Sequence, residues 1–228
     1  MASLLSSKSG TIFLWLILAT LVSCTTTPKP VHPGKSFANH SIPNFNYTLI
    51  SEGRAKITRN KKTESLSLIA EINSDSFRID LFDPLYSAVM SIYADTKKLT
   101  LINYNDLLVE NYKNTPTNQK KIFGFPLDVR DARLFFLGRV VDGEYPNWEF
   151  KTNDSGFLDQ AKHEEKELVV KFSSYISQDG ILYPKKTSIT NQGSTSKILF
   201  ISTERNLFVK RVIAFPEVSK DFQFIDYP

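Results

Sequence analysis

Three kinds of side chain in this sequence are of a type that does chemistry: one thiol, three imidazoles and a few neighbouring carboxylates. The thiol, Cys24, is the only cysteine among 228 residues, so it has no partner for an internal disulfide. It follows the apolar run TIFLWLILATLVS (Thr11 to Ser23) and precedes the tract TTTPKP. A lone cysteine inside a core behaves as a small hydrophobe; one between an apolar leader and a proline-rich tract has no core around it. The imidazoles are His32, His40 and His163. The first two lie in the proline-rich tract, which leaves one for the foldable part and argues against a histidine-based zinc site. His163, Glu164 and Glu165 are consecutive, do not converge on one point, and read as a solvated charged loop. Asp128 and Asp131 sit at the start of a helical pattern, where Asp128 acts as a cap without any chemistry. No glycine-rich phosphate loop, nucleophile elbow or second cysteine occurs. These residues point away from an enzyme, a metal and a cofactor, and leave Cys24 as an attachment point.

The segment ahead of Cys24 says what is attached. Lys8 supplies a positive start, and the apolar run that follows is shorter than the about 20 residues that span a bilayer. A short apolar core ending in small residues reads as an export signal over residues 1–23; an uncleaved N-terminal anchor is the alternative. Leu21-Val22-Ser23-Cys24 resembles a bacterial lipobox. That resemblance implies a diacylglycerol on the Cys24 thiol, cleavage before it and acylation of the freed amine. Two or more acyl chains hold a protein firmly on a membrane, whereas one holds it marginally. Residues 24–44, with Pro28, Pro30, Pro33, Pro43 and Gly34, favour extended solvated conformations and read as a tether. Thr25 stands where an aspartate resembles an inner-membrane retention signal, which favours the outer membrane, with the domain facing the periplasm.

The elements behind the tether, residues 45–228, form one domain. The composition is globular, with 41% hydrophobic and 23% charged residues. The net charge of +4 is spread without a basic, aromatic-laced stripe, which excludes a nucleic-acid groove. Alternation dominates: ESLSLIAEI sets Leu66, Leu68, Ala70 and Ile72 against Ser65, Ser67 and Glu71. SFRIDLF sets Phe77, Ile79 and Leu81 against Arg78 and Asp80, and KELVVKFSSYI continues the theme from Leu168. Such strands are antiparallel with one wet face. Turn residues at short intervals give about nine to eleven strands, in one curved antiparallel sheet or partial barrel. FPLDVRDARLFFLGRV breaks the pattern with helical spacing. Asp128 begins this helix of about ten residues, Gly138 ends it, and Leu127, Leu134, Phe135 and Leu137 turn toward the sheet. The class is mostly β (α+β), and a sheet curled round a helix either fills its interior or leaves an apolar cavity.

The order of elements resembles the LolA/LolB superfamily of periplasmic lipoprotein carriers and outer-membrane receptors. The matching stretches are SEGRAKIT (Ser51 to Thr58) with its Gly53-Arg54 pair, SLSLIAEINSDSFRIDLFDPLYSAVMSIYAD, and FGFPLDVRDARLFFLGRV. The resemblance implies an eleven-stranded incomplete barrel with a helical lid and a cavity for acyl chains. It also implies a LolA-like carrier as partner and a turn that exposes an apolar residue to the membrane. Here that turn is Asp83-Pro84-Leu85-Tyr86, with Leu85 first and Tyr86 next. From the residues alone, burying a leucine is worth about 1.5–3 kcal/mol, so a bilayer or a ligand would draw Leu85 in. Folding back onto the core satisfies it equally. Two functions follow. In the first, acyl chains of lipoproteins enter a pocket lined by Leu66, Leu68, Ile79, Leu81, Ile92, Leu134 and Leu137. In the second, the interior is filled and the tethered sheet is a structural or interaction protein of the envelope.

Overall fold

Alternating apolar residues with short polar turns build a run of hairpins. In a computed structural model, residues 47–227 are described apart from 60, 139, 141–144, 179–180 and 193–196. The leader, Cys24 and the tether lie outside the described residues. The strands are β1 (Thr48–Arg59), β2 (Lys62–Ile72), β3 (Ser76–Phe82), β4 (Ala88–Asp95), β5 (Lys98–Asn103) and β6 (Leu108–Lys113). After two helices come β7 (Trp148–Thr152), β8 (Leu158–His163), β9 (Leu168–Gln178), β10 (Ile181–Asn191), β11 (Lys197–Val209) and β12 (Gln223–Asp226). They form one sheet in the order β12-β6-β5-β4-β3-β2-β1-β11-β10-β9-β8-β7. Every neighbouring pair is antiparallel except β12 with β6. The sheet is mostly β, curved and open, with β12 and β7 as free edges; it is not a closed barrel.

Twelve strands form where the sequence spacing gives nine to eleven. The pairing of β12 is nonlocal: its ladder runs parallel to β6, from Gln223 opposite Leu108 to Asp226 opposite Asn111. Side chains fasten it. Tyr227 stacks on Tyr112 at 4.6 Å, and the Lys121 amine lies 4.7 and 4.5 Å from the two ring centres.

Two helices cover the inner face, where the sequence pattern shows one. Helix α1 (Pro116–Phe123) starts at Thr115, whose hydroxyl accepts from the Asn118 N–H at 3.3 Å. Pro116 occupies the first turn, where no N–H is needed, and Gly124 ends the helix at φ 86°. Its apolar residues, Ile122 and Phe123, fall only at its end, so it carries no stripe to read. Helix α2 (Val129–Leu137) begins as expected at Asp128 and ends at Gly138, φ 58°. Asp131 completes the cap: its carboxylate accepts from the Asp128 N–H at 3.4 Å, and Asp128 accepts from the Asp131 N–H at 2.8 Å.

The expectation of a wet outer face fails over β2 to β6. After β11 the chain crosses that face as an extended strap over residues 210–222 before joining β12. Thr48 donates to the Arg211 carbonyl at 2.6 Å, Arg211 pairs with Glu71, and Arg78 donates to the Ala214 carbonyl at 3.4 Å. Phe215 meets Tyr93 edge-on at 5.6 Å with the Lys98 amine over its ring, and Phe222 meets Tyr104 at 5.8 Å. Beneath the strap, Ile102, Val109 and Ile213 are buried in a layer separate from the main core.

Candidate functional site

The inner face of the sheet does not fill its interior. Between it and the helices lies an apolar cavity of about 570 Å³. The sheet supplies Ala55 and Ile57 from β1, Leu66 and Leu68 from β2, and Ile79 and Leu81 from β3. Met90 and Ile92 (β4), Thr187 and Ile189 (β10), and Ile198 and Phe200 (β11) complete that wall. These are alternate residues on successive strands, as the register requires: Leu68 lies opposite Leu81 and Gly53, and Ile79 opposite Ile92 and Ala70. The roof is Ile122 and Phe123 from α1, Phe125 and Leu127 from the connection, and Ala132, Phe135 and Phe136 from α2. Lys62 and Glu64 form a polar, exposed rim beside the β1–β2 hairpin.

Aromatic and polar contacts hold the roof. Phe136 packs edge-on against Phe200 at 4.7 Å, and Phe135 against Phe125 and Trp148 at 6.4 and 6.1 Å. The hydroxyl of Thr187 donates to the Phe135 carbonyl at 2.9 Å, and the Asn191 amide donates to the Gly124 carbonyl at 3.0 Å. On the β1 side the backbone makes room for Phe200. A Cβ on Gly53 would lie 2.4 Å from the Ile201 carbonyl and 2.6 Å from the Phe200 ring. The glycine of the Gly53-Arg54 pair is therefore a packing requirement.

Five of the residues expected to line the cavity, Leu66, Leu68, Ile79, Leu81 and Ile92, do lie on its wall. Leu134 and Leu137 do not: both are buried in the core, while their neighbours Ala132, Phe135 and Phe136 face the cavity. The reason is that α2 is buried on every side, from Asp131 through Leu137, so its apolar spacing carries no phase. Ile57, Ile198 and Phe200 lie in alternating runs of β1 and β11, a signal that marks them inward without marking them as cavity wall.

The Asp83–Ser87 turn presents its apolar pair outward, with Leu85 85% and Tyr86 76% exposed; folding back onto the core does not occur. The Asp83 carboxylate accepts from the N–H groups of Leu85 (2.8 Å) and Ser87 (2.9 Å), and the Tyr86 N–H donates to the Asp83 carbonyl at 3.0 Å. Tyr86 has φ 62°. Because consecutive hairpins alternate ends, this turn and the Lys62/Glu64 rim stand at the same end of the sheet.

A second, polar recess of about 410 Å³ lies outside the roof, among Asp128, Asp131, Trp148, His163, Glu165 and Lys166. His163 corrects the reading of a solvated loop: it is 5% exposed, edge-on to Trp148 at 5.2 Å, with Nδ1 accepting from the Lys166 N–H at 3.4 Å. Burial and the Lys166 charge push its pKa down. Asp131, 1% exposed, pairs with the Lys166 amine at 2.5 Å. Its pKa is pushed up to about 6 by burial and by Asp128, against the pull of Lys166. Lys166 reaches Asp131 and, at 3.8 Å, Asp128, and so fastens the start of α2 to the β8–β9 turn. Among the described residues no group of carboxylates and imidazoles is placed to hold a metal. Among them also, no helix is long and apolar enough to cross a membrane.

An open curved sheet roofed by helices over an apolar cavity is thus the architecture of the described residues. Residues 49–203 match the family model described as outer membrane lipoprotein LolB, and the chain belongs to that family. The family is one of lipoprotein localisation and transport, a carrier and receptor group of the cell envelope. Among solved structures, the chain is similar to a LolA superfamily protein from Nitrosomonas europaea, at 8% identity and TM-score 0.48, covering 75% of this chain and 89% of that one. It is also similar to a DUF1329 family protein from Desulfovibrio piger ATCC 29098, at 12% identity and TM-score 0.48, covering 68% and 83%. A putative outer membrane lipoprotein-sorting protein domain from Vibrio parahaemolyticus matches at 8% identity and TM-score 0.47, covering 71% and 86%. No curated protein matches the chain significantly.

Proposed function

We propose that this protein is a lipid-anchored receptor that takes the acyl chains of lipoproteins into its cavity and passes them to the outer membrane. Cys24 carries the anchor, a LolA-like periplasmic carrier delivers the cargo, and Leu85 and Tyr86 touch the membrane. The observation that carries the reading is the unfilled apolar interior of about 570 Å³ with an exposed apolar turn at its mouth end. That volume falls in the range of about 300–1,000 Å³ typical of ligand sites. Each methylene moved from water into such a wall gains about 0.8 kcal/mol, so an acyl chain supplies the driving force by itself. A sheet serving only as a scaffold gains nothing from leaving its core unfilled, since close packing is what stabilises a core.

Native mass spectrometry on the chain from Thr25 onward, purified from a lipid-containing extract, tests this. Bound fatty acid, phospholipid or lipopeptide is expected, and Leu68→Asp, in protein that stays folded, is expected to abolish it. A bare mass that gains nothing on titration with a synthetic lipopeptide would refute acyl binding and leave the envelope scaffold as the reading.

A further inference from the structure

The end of the sheet that carries the cavity rim has an unusual backbone. Three hairpins there, β1–β2, β3–β4 and β5–β6, each hold a side-chain-bearing residue in the left-handed region: Lys61 (φ 66°), Tyr86 (φ 62°) and Leu107 (φ 50°). The hairpins β2–β3 and β4–β5 at the opposite end hold none among the described residues. Among the described residues, Glu167 in the β8–β9 turn and Ser174 within β9 are the other non-glycine residues in this conformation. Glycine and asparagine are the residues that hairpins place at such positions. A leucine or tyrosine there is a true outlier, strained by its Cβ, and such strain is a pointer to function when the surroundings hold it in place.

The surroundings do hold it. The Asp83 carboxylate clamps the β3–β4 turn, and the Leu107 carbonyl accepts from the Gln223 N–H at 2.8 Å, tying the β5–β6 turn to β12. The gain is in what is presented: Leu107 is 43% exposed at the same end as Leu85 and Tyr86, and Lys61 is exposed there too. The two apolar tips are separated by two strand spacings, about 10 Å. An amine, a phenol and two aliphatic side chains on one rim match the layers of a membrane surface. Lysine meets anionic headgroups, tyrosine the boundary, and leucine the acyl region.

We propose that the β5–β6 turn is a second membrane contact, with Leu107 inserting alongside Leu85 and Lys61 resting on anionic headgroups. The cavity mouth then meets the bilayer through a rim of three hairpins instead of one loop. This rests on the reading that the mouth end faces a membrane. It adds a residue and a turn that the family resemblance does not supply.

The test uses the full chain with Cys24→Ser, carrying one new cysteine at a time, labelled with an environment-sensitive fluorophore. Asn105→Cys reports on the β5–β6 turn, Ser87→Cys on the β3–β4 turn, and Lys97→Cys on the opposite end. With vesicles of phosphatidylethanolamine and phosphatidylglycerol, the labels at 105 and 87 are expected to shift to the blue. Both are also expected to be quenched by acyl-brominated lipid, with no change at 97. A response at 87 without one at 105 overturns the second contact and leaves the first. Silence at both overturns the membrane-facing reading as well. Leu107→Asn, which suits the left-handed backbone, is expected to keep or raise thermal stability while more than halving the quenching at 87. A drop in stability with unchanged quenching would make Leu107 structural and refute the proposal.

Discussion

Replacing Asp131 by asparagine tests the electrostatics that fasten the roof of the cavity. Burial and the neighbouring Asp128 raise the Asp131 carboxyl from its ordinary 3.8 to about 6, despite the Lys166 amine at 2.5 Å. At about 1.36 kcal/mol per tenfold, the charged form is disfavoured in the folded protein by about 3 kcal/mol. The sign follows from linkage. The folded state binds this proton more tightly than the unfolded state, so the site opposes folding most above pH 6. That opposition fades as pH falls from 6 toward 3.8. Asparagine stands in for the protonated acid and keeps an oxygen for the Asp128 N–H. Lys166 loses one partner but retains Asp128 at 3.8 Å and partial access to water. Asp131→Asn is therefore expected to match or exceed the parent's stability at pH 7.5, by up to about 3 kcal/mol. The difference should shrink on going to pH 5. Urea unfolding of both proteins across that range measures it, since their difference cancels the titrating groups that do not interact with Asp131. A variant less stable than the parent by more than about 1 kcal/mol at pH 7.5, with the parent's advantage growing as pH rises, would refute the reasoning. The Lys166 pair would then outweigh burial.

Gly53→Ala is expected to destabilise by about 3 kcal/mol or to prevent folding. Its Cβ meets a backbone carbonyl at 2.4 Å and the Phe200 ring at 2.6 Å, and overpacking of that kind has few escapes; thermal unfolding measures it. Leu134→Ala is expected to cost about 2–5 kcal/mol while leaving the lipid capacity of the folded protein unchanged, because Leu134 is buried away from the cavity wall. Phe135→Ala is expected to cost a similar amount and to admit longer or bulkier acyl chains, read by native mass spectrometry. Equal effects of the two on lipid capacity would contradict the placement of α2.

What the sequence reveals and what it hides divide along a physical line. Strands β2, β3 and β9 are legible because each has a dry side facing the core, and period two follows from that. The start and end of α2 are legible because Asp128 and Gly138 act within one turn of the helix. The rotation of α2 is not, because burial on all sides erases the stripe that would set it, and so Leu134 and Leu137 were interchangeable on paper with Phe135 and Phe136. Helix α1 is announced only by Thr115-Pro116 and Gly124, with no apolar face between them. The exposed state of Leu85 and Tyr86 depends on backbone N–H groups donating to Asp83, which composition cannot show. His163 is buried by Trp148, which lies 15 residues away in sequence and opposite it only through the β7–β8 register.

The strap and the cavity are two sides of one problem. A sheet whose inner face borders an unfilled space forgoes contacts there, since a void leaves its lining atoms without partners. Glu71 and Arg78, which the alternation assigns to solvent, together with Tyr93 and Lys98 instead grip residues 211–215 on the far side. That grip buries Ile102, Val109 and Ile213 in a second layer behind the strands that line the cavity. The wall can thus stay ordered whether or not the cavity is occupied, because its packing does not depend on the contents. The family match ends at residue 203, so the strap and β12 lie beyond it. The hydrophobic layer they close backs the strands that line the open cavity.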